Sequence, residues 1–109
     1  MQIPFETMEY TVLKNFKGGE GEALVRMHQD DMGKVAQITL PVGASIGYHT
    51  HDTSSEIMYF LSGKGTVTID GIPETVSAGL CHYCKKGSSH GLVNDGEEDL
   101  VFFAVVPQQ

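Results

Sequence analysis

Three histidines and one glutamate stand in this chain at spacings that would gather four metal-binding donors. His49 and His51 are two residues apart, so on an extended strand both side chains leave the same face. Glu56 follows across the polar run Asp52-Thr53-Ser54-Ser55, a composition suited to a turn. His90 comes from a separate segment, which the fold would have to bring alongside. Imidazoles with a carboxylate are a donor mix for first-row divalent metals. Such a set leaves the ion one uncompensated charge and, at six-coordination, two open positions. Those positions could take water, dioxygen or a bidentate ligand such as an enediol or hydroxy acid, with the metal acting as a Lewis acid.

His82 is a second candidate of another kind. Alternation along Leu80–Cys84 puts Leu80, His82 and Cys84 on one face. If that face looks inward, His82 is a candidate catalytic acid or base beside the metal, since histidine titrates near neutrality. The plainer reading is an inward histidine bonded to a neighbour and chemically idle. Cys81 and Cys84, three apart, fall on opposite faces and read as reduced thiols; with no second cysteine pair they make no zinc knuckle. Met58 and Phe60 are expected to line the pocket, and Lys85 and Lys86 to stand near its mouth. Asn94 reads as a turn former with Asp95-Gly96, and His28 as a surface residue.

The elements that must position these groups read as short strands. Residues 1–21 are polar, glycine-rich towards their end and without clear period; they read as an N-terminal arm with an edge strand near Tyr10–Leu13. Residues 22–109 read as the folded body. Ala23–His28 and Lys34–Leu40 flank a hairpin connection, and in the second Ala36, Ile38 and Leu40 share one face. Ile46–His51 follows. Glu56–Ser62 puts Glu56, Met58 and Phe60 on one side. Thr66–Asp70 enters an Asp70-Gly71 turn of the hairpin type, followed by Glu74–Ser77, Leu80–Cys84, His90–Val93 and Asp99–Val106. The last is apolar on both faces. About ten short strands with no sustained helical period imply a sandwich or barrel.

Composition agrees. Hydrophobic content of 40% and charged content of 19% suit one soluble globular domain of 109 residues. A net charge of −7 argues against a nucleic-acid partner. No apolar run is long enough for a membrane helix, and the first residues lack a secretory pattern, so a cytoplasmic location is expected and a membrane partner is not.

Gly43, His49, His51, Glu56 and Gly63, and then Gly79, Gly87, His90 and Asn94, resemble the two sequence motifs of the cupin superfamily. Lys85 stands where the second motif has proline, which touches a turn and not a ligand. The short separation of the motifs is similar to that of small single-domain bacterial cupins. This resemblance implies an all-β double-stranded β-helix, or jelly-roll barrel. Within it one divalent metal (iron, manganese, nickel, zinc or copper) would be held by His49, His51, Glu56 and His90. It further implies a homodimer, with the arm 1–21 as an exchanged strand, and a small-molecule ligand. Activities of the dioxygenase or sugar/carbonyl isomerase type are the leading expectation, non-catalytic binding or sensing the alternative.

Overall fold

A computed structural model describes residues 1–109. Ten strands account for most of the chain: β1 (Thr11–Lys14), β2 (Glu22–Asp30), β3 (Gly33–Leu40), β4 (Ser45–Thr50), β5 (Glu56–Ser62), β6 (Lys64–Ile69), β7 (Ile72–Ser77), β8 (Cys81–Cys84), β9 (Ser89–Val93) and β10 (Leu100–Pro107). The only helical pieces are single turns at Phe5–Thr7 and Phe16–Gly18. No helix is long and apolar enough to cross a membrane.

The strands form two antiparallel sheets, one in the order β1-β2-β3-β10-β5-β8 and one in the order β4-β9-β6-β7. They face each other as the double-stranded β-helix that the sequence led one to expect. Alternation sets the inward faces. Ala36, Ile38 and Leu40 are buried, as are Glu56, Met58 and Phe60, while Tyr59 and Leu61 on the opposite face of β5 are exposed.

Inward residues of the larger sheet line up in rows across the strands. Val25, Ile38, Phe102 and Phe60 pair in register, with the two aromatic rings 5.3 Å apart. The next row runs Met27, Ala36, Ala104, Met58, His82. The first row packs the barrel solidly, each large apolar side chain contributing about 1.5–3 kcal/mol by burial. The second, with two alanines at its centre, cannot fill the same width. Leu80, expected beside His82, instead lies exposed in the preceding turn.

Asp70 and Gly71 form the two-residue link between β6 and β7, with φ of 46° and 83°, as a turn with two left-handed positions requires. The segment before β2 docks on its own chain. β1 pairs with β2, Arg26 stacks on the Tyr10 ring at 4.0 Å, and the Phe16–Gly18 turn packs on β4. That approach needs Gly47, because a Cβ there would collide with the Lys17 carbonyl.

Candidate metal centre

A bulge in β4 aims the first two histidines. Ile46 pairs with Leu92 and His49 with His90, so three steps on β4 match two on β9. The extra residue lets both Ile46 and His49 face inward, which strict alternation forbids. His51 follows two residues later and is tied by its backbone to the Lys85–Ser88 turn: its N–H donates to the Ser88 carbonyl (3.0 Å) and its carbonyl accepts from the Gly87 N–H (2.6 Å). That turn closes with Lys85 in place, the Ser88 N–H donating to the Lys85 carbonyl at 2.9 Å. Glu56 opens β5 on its inward side, and His90 lies in β9 between β4 and β6.

The four donors meet. The Nε2 of His51 lies 3.2 Å from Nε2 of His49, 3.0 Å from Nε2 of His90 and 3.0 Å from Oε1 of Glu56. Nε2 of His90 is 2.9 Å from the same carboxylate oxygen. The three imidazole centroids form a triangle with every side 4.9 Å. All four donor atoms lie within 4.8 Å of one another, a cluster that could hold a metal ion.

The outer nitrogens show whether these residues fit such an ion. Nδ1 of His49 lies 2.7 Å from the Gly47 carbonyl, which can only accept, so that nitrogen carries the proton and Nε2 presents a lone pair inward. Nδ1 of His51 meets the Ser54 hydroxyl at 3.0 Å, and Nδ1 of His90 meets Nε2 of His82 at 2.9 Å. Each inner nitrogen thus has an outer partner able to fix its tautomer, the arrangement expected behind metal-binding histidines. Three nitrogens and a carboxylate oxygen at mutual contact repel one another unless a cation or protons lie between them. The donor set fits a divalent ion.

Burial lowers the pKa of His49, which favours the neutral ligand form over imidazolium. Burial alone would raise the Glu56 carboxyl, but with no ion between them the His51 and His90 rings, bonded to it through protonated nitrogens, outweigh burial and hold the pKa down to about 2; a bound cation would replace those protons. The carboxylate is therefore charged at neutral pH.

His82 is buried and sits behind His90, away from the cavity lining, its ring stacked on that of His90 at 5.2 Å. Burial, followed by the nearness of His90, lowers its pKa. Cys84, beside it on the same face, is raised to about 11 by burial and by the Glu56 and Asp70 charges, while Cys81 is exposed. Asn94 is fully buried and shapes the chain, as expected: Nδ2 donates to the Leu40 and Glu98 carbonyls. His28 lies outside, paired with Asp30 at 3.0 Å.

Three of the cluster, His49, His51 and Glu56, line a cavity of about 460 Å³ between the sheets, with His90 buried behind them. Met58 lines it, but Phe60 belongs to the packed row beneath. Its lysines are Lys17 and Lys34; Lys86 instead donates to the Gln109 carbonyl. Leu13, Phe16 and Lys17 reach the cavity from the arm, a contribution that motif spacing could not reveal. Gly19 and Gly47 were the available signal, since unexplained glycines mark close backbone approach.

A two-sheet β-helix with a three-histidine, one-carboxylate cluster at its inner wall defines a metal-capable jelly-roll barrel. The profile of the family described as "Cupin domain" matches residues 36–106, and the chain belongs to that family. An oxalate-binding protein of Thermotoga maritima is 33% identical over 100 residues, 86% of this chain and 83% of that one. A crystal structure from the same organism, described as a predicted oxalate decarboxylase, superposes with a TM-score of 0.94 at 29% identity over the whole of both chains. A Streptococcus pyogenes protein of unknown function gives a TM-score of 0.72 at 25% identity, covering 80% of this chain and 75% of that one.

Proposed function

We propose that this chain holds one divalent first-row metal through His49, His51, Glu56 and His90 and takes a small chelating anion onto it from the cavity. The observation that carries this reading is the convergence of three inner nitrogens and one carboxylate oxygen with the His49 tautomer fixed by the Gly47 carbonyl. The name of the oxalate-binding relative supports an anionic chelator as ligand. A metal bound there would supply Lewis acidity and exchangeable coordination positions.

The chain's own groups do the rest. Glu56 cancels one unit of the ion's charge and leaves a net positive centre for an anion. Lys17 and Lys34 add positive charge to the cavity wall. The hydrophobic half of the lining would shield one side of a bound ligand from water, which strengthens electrostatic contacts there. His82 acts through His90, holding the proton on the outer nitrogen so that Nε2 stays a ligand.

A second reading, oxidation by dioxygen or carbonyl isomerisation of the bound molecule, is supported by the place of His49, His51 and Glu56 in the cavity lining. Calorimetric titration with oxalate, on protein loaded in turn with iron, manganese, nickel, zinc or copper, tests the first reading. Binding should appear with metal and vanish after chelation and desalting. Oxalate binding that survives metal removal would overturn it. Release of product from oxalate or from a panel of sugars and diketones would establish turnover.

A further inference from the structure

Oxalate is small for this cavity. A volume of about 460 Å³ corresponds to roughly fifteen water-sized volumes, whereas oxalate has only six non-hydrogen atoms. The space is also one-sided in chemistry. The ligand cluster forms a polar patch, yet half of the twenty lining residues are hydrophobic. The room exists because of particular residues: in the row Met27, Ala36, Ala104, Met58 the two central positions are alanines, directly above a row of large side chains. Leu13 and Phe16 from the arm add apolar wall. Neither Lys17 nor Lys34 is in an ion pair; the Lys17 ammonium lies 5.6 Å from the Phe16 ring centroid, and Asp52 shares the lining with both.

We infer that the pocket is shaped for a 2-oxo or 2-hydroxy carboxylate carrying an apolar side chain of about four to six carbons, rather than for oxalate itself. The acid's head-group oxygens would lie at the His49, His51 and Glu56 end of the pocket, where a bound metal would offer open positions to them. Its tail lies over Ala36 and Ala104, between Met27 and Met58. This inference depends on the metal reading above for its head group and on the alanine pair for its tail.

The test separates the two. Metal-loaded protein is titrated calorimetrically with pyruvate and with 4-methyl-2-oxopentanoate, which share a head group and differ by three tail carbons. Metal content is followed by elemental analysis. The longer acid should bind about tenfold tighter or more, given the usual gain per buried methylene. In Ala104→Leu, which fills the space, that ratio should fall to near one while metal content and circular dichroism stay as in the wild type. Equal affinities in the wild-type protein overturn the inference. So does a ratio that Ala104→Leu leaves intact. Should that variant not fold, the wild-type comparison decides alone. Failure of the metal reading looks different: elemental analysis finds no retained metal, or both acids bind equally well with and without it.

Discussion

Nδ1 of His90 lies 2.9 Å from Nε2 of His82, and the two rings stack with only 24° between their planes. The residue that alternation marked as a catalytic candidate thus stands behind a metal-binding candidate, on the facing sheet and outside the cavity lining. Partners in this position fix the tautomer and orientation of the ligand ring.

Replacing His82 by leucine should therefore weaken metal binding by about 10- to 100-fold. His82→Gln, which keeps a polar partner for Nδ1, should lose less. Competition with a chromophoric chelator measures both affinities. Nitrogen-15 spectra of the His90 ring would report the tautomer, which a purely packing role for His82 would leave unchanged.

Asn94 ties the end of β3 to the connection between β9 and β10, donating to Leu40 at 2.7 Å and Glu98 at 2.9 Å while accepting from Gly96 at 3.0 Å. Asn94→Ala leaves those backbone groups without this partner, the Leu40 carbonyl in a region closed to water. A loss of about 2–4 kcal/mol in urea unfolding is expected. Asn94→Asp should be no better, since it sets a carboxylate against two carbonyls. Wild-type stability in either variant would remove Asn94 from the structural role.

Asp70 accepts from the Ser89 N–H at 2.9 Å, and this bond, with a further one to Ser88, holds its pKa below 3.8. A lowered folded-state pKa means stability that is fully present above the unfolded value and lost as pH falls through the folded one. Asp70→Asn can keep the left-handed turn and the acceptor without titrating. Unfolding midpoints followed downward from about pH 5 should therefore fall more steeply for the wild type than for Asp70→Asn, with the difference opening below the usual carboxylate range. Parallel curves would show that the turn gains nothing from the charge.

Much of this molecule was legible in its residues. The His49/His51 pair, Glu56 at a strand start and the Asp70-Gly71 turn all lie where spacing and alternation placed them, because each depends on local geometry. The inward set Ala36, Ile38, Leu40 is buried for the same reason. What stayed hidden depends on contacts distant in sequence. The bulge between Ile46 and His49 breaks the alternation that strand reading relies on, and only pairing with β9 reveals it. Leu13 read as the end of an edge strand and Phe16 and Lys17 as part of an arm without clear period, and the place of all three at the cavity follows from the fit of backbone against Gly47. The cavity itself comes from Ala36 and Ala104, which are unremarkable in sequence and meet only across β3 and β10.

Four side chains separated along the sequence would share one cation. Elemental analysis tests it most directly, on wild type and His90→Ala purified without a nickel column, loaded with metal and desalted. About one ion per wild-type chain is expected, and near none in His90→Ala, with the β-sheet dichroism of both unchanged. Equal metal content in the two proteins, or none in the wild type, would contradict it.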